Sequence, residues 1–380
     1  MKIGVLGAGL VGGPMAADLA RDAGHDVCAV DIDRGVLARL KEKYGIRTIH
    51  EDLSRVEEVK RVVAEFDFVI SAVPGFMGFQ TLQGIIEAKK NVVDIAFFPE
   101  DPFLLDELAR RNGVTALVDC GVAPGMSNIL AGYVCSLLDE VQTLTIYVGG
   151  LPEIREWPYE YRAVFSPLDV IEEYLRPARL VENGRLVVRP ALSERELINF
   201  PGIGTLEAFN TDGLRTLAGT IQAANMKEKT LRYPGHVEKM AVLRETGFFA
   251  KEEVEIRGMR IRPLDLTAKL LFPKWTMGEG DRDITVFQLT IEGKKGGRGY
   301  RHAYNMLDRF DPASGIHSMA RTTGYTATQA LRMISRGLYG RTGISVPEFI
   351  GRQPECVAFM LQGLLERGIV YRETVEGPGV

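Results

Sequence analysis

Residues 2–33 read KIGVLGAGLVGGPMAADLARDAGHDVCAVDID, and this stretch decides the fold. Lys2 to Leu6 is a short apolar run, the pattern of a buried strand. Gly7, Gly9 and Gly12 follow as G-x-G-x-x-G. In that pattern the first glycine permits a tight turn, the second lets backbone approach a pyrophosphate, and the third lets helix and strand pack closely. The next helix turns its open N–H groups and positive dipole end toward phosphates. With a helix starting near Leu10, Pro14 falls close to the first turn, where a missing N–H costs little. A second strand, Asp26 to Val30, ends at Asp31, 22 residues beyond Gly9. A dinucleotide-binding unit places a carboxylate there, on the adenosine ribose hydroxyls. The stretch therefore predicts a Rossmann cradle lined by Gly7, Ala8, Gly9, Leu10, Val11 and Gly12, with Asp31 and Ile32 at the ribose. A carboxylate at Asp31 repels a 2′-phosphate, which favours NAD over NADP, while Arg34 close by pulls the other way. The competing reading is a glycine-rich turn in some other α/β domain.

The alternation continues to about residue 122. Helix 56–65 precedes strand 66–72, helix 78–90 precedes strand 91–97, and a helix ending at Gly113 precedes the strand VTALVDC. Strands alternating with helices imply a parallel sheet covered on both faces. Ligands on such sheets lie at the carboxyl ends of the strands. That rule singles out Ser71, Ala72, Val73 and Pro74 for cofactor, and Asp94 and the segment 119–125 for the chemistry. A helix opening at about Met126 would then offer its first N–H groups to a substrate carboxylate or a bound water.

Beyond the helix 126–138 the pattern changes. Ser166 and Pro167 mark a helix start. Asn183-Gly184 and Arg257-Gly258 mark hairpin turns, and two long strands flank a glycine-rich tip near Lys294-Lys295. A long helix stops at Gly337, GISVPEFI is extended, and a last helix runs from about Glu355 to Arg367. The expected architecture is an α/β Rossmann domain (1–122) and a mixed α+β, largely antiparallel substrate and dimerisation domain (123–310). C-terminal helices (311–380) are expected to pack back on the first domain.

Composition bounds the function. The 380 residues are 46% hydrophobic and 25% charged with a net charge of −4, so neither nucleic-acid nor membrane-surface binding is expected. No apolar run is long enough to span a bilayer, and the N-terminus lacks a signal-peptide pattern. The four cysteines, Cys28, Cys120, Cys135 and Cys356, have no metal-ligand spacing. The expectation is a metal-free protein of the reducing cytoplasm.

The segments GAGLVG, DCGVAPGMSNILAGY, LDEVQTLTIYVGGLP, YEYRAVFSPLDVIEEY, GTLEAFNTDG and LRYPGHVEKM carry a resemblance. The chain resembles the saccharopine dehydrogenase-like oxidoreductases, and within them the lysine 6-dehydrogenase branch. Residues 71–80, SAVPGFMGFQ, do not have a form that is expected in every relative. The resemblance implies a homodimer that uses NAD to oxidise the ε-amino group of L-lysine to 2-aminoadipate 6-semialdehyde with release of ammonia. The alternatives are a saccharopine-type reductase, a dehydrogenase of a polyamine adduct, and a nucleotide sensor without turnover.

Amine oxidation removes hydride from the carbon bearing nitrogen, and an ammonium has no lone pair to drive it out. With an amine pKa near ~10, the site must accept a proton first. Asp94 and Asp119, at strand ends, and His236 are the candidate acceptors; an Asp at a strand end also commonly caps a turn. Cys120 is a candidate at the substrate, with a small apolar filler as the competing role. Glu207 and Asn210, in a turn-rich stretch, and Arg232 and Tyr233, where a strand feeds a helix, complete the substrate set. Arg232 offers a bidentate fork for a carboxylate; a surface ion pair is its competing role, as an N-cap is for His236.

Overall fold

The computed structural model describes residues 1–278 and 280–378. The chain forms two compact units: Met1–Leu137 with Ala320–Tyr371, and Leu138–Met319 with Arg372–Val380.

The first unit is built on a seven-stranded sheet. Its order is Gly343–Ser345, Thr115–Leu117, Asn91–Asp94, Phe68–Ser71, Lys2–Leu6, Asp26–Asp31 and Arg47–His50, and every pairing is parallel. Strands such as Phe68–Ser71 are buried at each residue, because helices cover both faces. The helix Gly12–Leu19 begins two residues later than the periodicity suggests, which puts Pro14 at its third position. Asp33 opens the helix Arg34–Tyr44 by accepting from the Gly35 and Val36 amides at 2.7 and 3.1 Å. The helix expected over 78–90 instead spans Gly75–Glu87 and starts directly after Pro74. GISVPEFI is only half extended. Gly343–Ser345 adds the seventh strand beside Thr115–Leu117, and Pro347–Gly351 is helical. A three-residue strand carries too little alternation to be seen in sequence.

The second unit carries a nine-stranded sheet. Its spine runs Glu196–Phe200, Gly204–Asn210, Asn225–Arg232, Glu140–Pro152, Asp283–Lys295, Arg298–Arg309 and Arg372–Glu376. All of these pairings are antiparallel except Asn225–Arg232 with Glu140–Pro152. Of the stretch expected to be turn-rich, GTLEAFNTDG, the first seven residues are the strand Gly204–Asn210, and the chain bends at Asp212. Both hairpin turns read from sequence are present, with Asn183, Gly184, Arg257 and Gly258 all at positive φ. An apolar core of Tyr161, Tyr174, Phe209, Val237, Met240, Leu271 and Trp275 packs within this unit.

A buried charge cluster ties the glycine-loop helix to the C-terminal part of its own unit. Arg332 Nη1 donates to Asp18 Oδ2 at 2.7 Å and its Nε to Asp22 Oδ2 at 2.6 Å, while Arg367 Nε donates to Asp18 Oδ1 at 2.8 Å. Asp18 is 2% exposed. Burial raises its pKa, but the two guanidinium groups outweigh burial and hold the carboxyl below its ordinary range. Arg332→Ala takes one of two guanidinium groups from buried Asp18, which keeps Arg367 and the Thr328 hydroxyl, so it should cost about 1.5–3 kcal/mol in urea unfolding. The pair's contribution should fade as pH falls through the lowered pKa of Asp18. An unchanged midpoint in Arg332→Ala would show that the cluster adds nothing.

Candidate functional site

The cradle forms as the glycine spacing demands. Gly7 sits at φ +85°, and a Cβ on Gly12 would lie 1.9 Å from the Gly7 carbonyl oxygen. A Cβ on Gly9 would meet nothing, so its backbone faces open space. Three large apolar side chains stand exposed just past strands of this sheet: Leu10 (49%), Ile32 (62%) and Phe76 (74%). Ser71, at the end of a fourth-order strand of the same sheet, is fully buried, and its hydroxyl meets no partner among the described residues. Ala72 is half-buried, Val73 buried and Pro74 exposed. An open glycine backbone, an orphaned hydroxyl and an apolar rim fit a dinucleotide.

Asp31 does something the spacing does not reveal. Its Oδ2 accepts from the Ala8 amide at 2.6 Å and its Oδ1 from the Asp33 amide at 2.8 Å. One oxygen braces the glycine loop, and the other holds the turn that follows Asp31's own strand. Arg34, the first residue of the next helix, is exposed and has no ion-pair partner among the described residues.

Asp94, Asp119 and Cys120 come together at the carboxyl edge of the same sheet. Asp94 Oδ2 accepts from the Ala96 amide at 3.1 Å, and its carbonyl accepts from the Cys120 amide at 3.0 Å. Asp119 is 2% exposed, with φ +53°. Burial pushes the Cys120 thiol far up, and the charges of Asp119 and Asp94 add to it. The thiol therefore stays protonated, which suits a buried filler and not a nucleophile. The following loop is closed on itself. The Gly121 amide donates to the Pro124 carbonyl at 3.0 Å, and a Cβ on Gly125 would lie 1.9 Å from the Gly121 oxygen. This corrects one expectation: the first amides of helix Met126–Leu137 do not face outward. Met126 and Ser127 donate to the Gly121 and Val122 carbonyls at 2.9 and 3.0 Å. Asn128, unnoticed in the sequence, accepts from the Gly125 amide and the Ser127 hydroxyl and donates to buried Glu348 at 3.2 Å.

In the second unit Glu207, Arg232, Tyr233 and His236 converge, but inward. Arg232 is 2% exposed. It donates to Glu173 at 3.0 Å, to the Tyr174 hydroxyl at 3.3 Å and to the Leu231 carbonyl at 3.0 Å, and lies 4.6 Å from the Tyr161 ring centre. His236 has Nδ1 2.9 Å from the Tyr159 carbonyl and Nε2 3.0 Å from the Tyr174 hydroxyl. A carbonyl only accepts, so Nδ1 carries the hydrogen and Nε2 accepts from Tyr174. The proton order Arg232 to Tyr174 to His236 to Tyr159 runs one way. Burial first, then the Arg232 charge, pushes His236 down to about 3. The fork expected for a substrate carboxylate and the expected proton carrier are thus both spent on internal partners. Glu207 accepts from the Gly235 amide at 3.0 Å, ahead of helix His236–Glu245. The Tyr233 hydroxyl donates to the Pro152 carbonyl at 2.9 Å. Asn210 is the last residue of the strand that carries Glu207 and donates to the Ser193 hydroxyl at 3.1 Å; its Oδ1 is buried with no hydrogen-bond partner among the described residues.

The turn after Asn210 hangs on a residue the sequence reading passed over. Glu228 Oε2 accepts from the Thr211 hydroxyl at 2.6 Å and the Gly213 amide at 3.1 Å. A Cβ on Gly213 would lie 2.3 Å from the Glu228 carboxyl, so the acid and the glycine require each other. Asp212 receives a two-point fork from Arg179, both bonds 2.8 Å. The available signal was polar residues at alternate positions, Glu228, Thr230 and Arg232, all buried on one strand. Among the described residues no group of three or more His, Cys, Asp or Glu side chains could hold a metal.

Burial lifts the Glu228 carboxyl to about 8 from 4.5, and nearby Glu173 and Asp212 add to the lift. The folded chain therefore keeps this proton after the unfolded chain has lost it, and stability falls as pH rises from 4.5 to 8. His236 acts in the opposite sense, and only below 6.5. Between these limits and 8, Glu228→Gln, which retains an acceptor for Thr211 and Gly213, should melt higher than the parent. The gain should reach on the order of 3 kcal/mol by pH 8 and shrink toward neutrality. Parallel melting curves for the two proteins across that window would contradict this.

Two family models match the chain: the saccharopine dehydrogenase NADP binding domain over residues 3–117, and the saccharopine dehydrogenase C-terminal domain over 121–369. The chain is 26% identical over 266 residues to the mitochondrial alpha-aminoadipic semialdehyde synthase of Mus musculus, a match covering 66% of this chain but only 29% of that protein. It is 26% identical over 267 residues to the NADP(+), L-glutamate-forming saccharopine dehydrogenase of Pyricularia oryzae, covering 66% of this chain and 58% of that one. The apo saccharopine dehydrogenase (L-Glu forming) of Saccharomyces cerevisiae superposes with a TM-score of 0.80 over 99% of both chains at 18% identity, a likeness of fold. The expectation of NAD is overturned by the match of residues 3–117 to an NADP-binding model. Asp31, from which NAD was expected, gives one oxygen to the Ala8 amide of the glycine loop and the other to the Asp33 amide. With the two models together spanning most of its length, the chain belongs to the saccharopine dehydrogenase family.

Proposed function

We propose that the chain is an NADP-dependent dehydrogenase that oxidises an amine-bearing carbon, with the ε-amino group of L-lysine as its substrate. The observation that carries this reading is the placement of two buried carboxylates, Asp94 and Asp119, on the same sheet edge as the glycine cradle and its apolar rim. Lysine, with a single carboxylate, asks less of the arginines than saccharopine does. A substrate with three carboxylates needs several cationic forks, and of the five arginines Arg155, Arg162, Arg176, Arg215 and Arg232, three are paired: Arg155, Arg162 and Arg232 with Glu160, Glu156 and Glu173.

The residues divide the work. Gly9 and the start of helix Gly12–Leu19 hold the pyrophosphate through backbone, and Asp31 keeps that loop in shape. Arg34, exposed at the start of helix Arg34–Tyr44, would offer its cation to a 2′-phosphate. Bound NADP supplies the hydride acceptor. Asp119 takes the proton that the substrate ammonium must lose, and Asp94 holds the backbone of Cys120 beside it. Loss of hydride leaves a carbon–nitrogen double bond in the substrate. Water adds to that carbon and ammonia departs, leaving the semialdehyde; one water is consumed and one NADPH formed.

NADP with lysine should raise absorbance at the NADPH band, and NADP with saccharopine should not. Signal with saccharopine alone would move the assignment to a secondary amine; silence with both, despite measured NADP binding, would sink the catalytic reading. Asp119→Asn should lower kcat by about 10²–10⁴-fold while leaving NADPH affinity nearly unchanged. Arg34→Ala should weaken NADPH binding about tenfold or more and leave NADH binding unaltered, as read by NADPH fluorescence titration. Equal losses for the two nucleotides would remove Arg34 from the phosphate site.

A further inference from the structure

Helix Ser318–Ser335 comes from the far end of the sequence to the edge of the first unit that carries the glycine cradle. Within that unit it is buried at every residue from 320 to 334 except Thr323, which is half-exposed. A helix lying on a surface exposes a stripe, because residues three and four apart share a face. Here Ala320, Thr326 and Ala327, the neighbours of Thr323 on its face, are all buried. The opening at Thr323 is therefore a single hole and not a solvated side.

Two close approaches locate that hole. A Cβ on Gly324 would lie 2.9 Å from Met15 Cγ and 3.5 Å from the Val11 carbonyl oxygen, so the helix presses on the start of the phosphate-binding helix. A Cβ on Gly121 would lie 3.1 Å from Thr323 Cγ2 and 3.1 Å from the Pro124 carbonyl oxygen, so Thr323 also borders the loop that follows Asp119. Val11, the fifth residue of G-x-G-x-x-G, is half-exposed beside exposed Gly9 and Leu10. From residue 114 to 132 only Ala123 and Pro124 escape burial. Open residues thus run from Gly9 through Leu10 and Val11 to Thr323 and on to Pro124, all within the first unit.

A dinucleotide with its pyrophosphate on Gly9 sends its two halves to opposite sides of the point where strand order reverses. Ile32 and Arg34 follow the strand Asp26–Asp31 on one side; Ser71, Asp94 and Asp119 lie at or just past the ends of strands on the other. Thr323 borders the second side through Gly121. Resting on the dinucleotide reading above, we propose that Thr323 touches the nicotinamide riboside half of the bound cofactor, closing the wall between Val11 and Gly121. Gly324 is a positioning residue, because its missing side chain lets the helix approach Met15 and Val11 closely enough to bring Thr323 there. A bulky side chain at 323 would fill the space the riboside needs.

Two ligands test this without reference to turnover: NADPH, and 2′,5′-ADP, which carries the adenosine half and lacks the riboside. Thr323→Cys is nearly isosteric and reports contact directly. NADPH at about ten times its Kd should slow alkylation of that thiol by iodoacetamide about tenfold, read by peptide mass spectrometry, while 2′,5′-ADP at equal saturation should leave the rate unchanged. Thr323→Phe should weaken NADPH binding about tenfold or more and 2′,5′-ADP binding less than about twofold. Equal protection by the two ligands, or none by NADPH, would overturn the inference. So would Thr323→Phe with an unchanged melt that binds NADPH like the parent or loses both ligands alike; where that variant melts lower, the alkylation rates decide. A chain that takes NADH and ADP in place of the phosphorylated pair changes only the assignment of NADP, and the same comparison then runs with those ligands. A chain that binds no dinucleotide sinks both this inference and the reading on which it rests.

Discussion

The first unit depends on a close approach between two glycines. Gly7 must turn with positive φ so that the chain leaves strand Lys2–Leu6, and Gly12 must lack a side chain because the Gly7 oxygen occupies the place of its Cβ. Asp31 locks this arrangement from the neighbouring strand by accepting from Ala8. Asp18, six residues beyond Gly12 on the same helix, anchors it through Arg332 and Arg367. Everything proposed for the nucleotide follows from a loop held from both ends. Asp31 takes part in the loop's structure, and the proposed function assigns the 2′-phosphate to Arg34.

The second unit has a different organising rule. Its polar groups are buried but paired in fixed directions. Arg232 donates to Tyr174, Tyr174 to His236, and His236 to a carbonyl; Thr211 and Gly213 donate to Glu228. Low dielectric makes any unpaired member costly, so these networks specify one arrangement of strand and helix. That is why residues chosen as catalytic candidates by type turned out to be tied into the fold. Arginine, histidine and tyrosine at a strand-to-helix junction have the same composition whether they face a ligand or one another.

The fold was largely legible. The strand–helix periodicity before residue 122, the glycine spacing, Ser166-Pro167 and the Asn-Gly hairpin are local signals, and local signals survive into structure. Gly343–Ser345 escaped because three residues define no period, and the strand Gly204–Asn210 was masked by the turn residues that follow it. Of the site, the cradle was visible because backbone geometry dictates glycine there. The roles of Asp31, Arg232, His236 and Glu228 were not, because each is decided by partners far away in sequence: Ala8, Glu173, Tyr159 and Gly213. Asn128 and its link to Glu348, 220 residues on, left no trace in any short motif.

The central claim is that Asp31 serves the loop while Arg34 serves the nucleotide. A crystal structure of the chain with NADP tests it most directly. The account predicts the 2′-phosphate within hydrogen-bond distance of the Arg34 guanidinium, with Asp31 still accepting from Ala8. An Asp31 carboxylate turned away from Ala8 onto the ribose hydroxyls, with Arg34 in solvent, would contradict it.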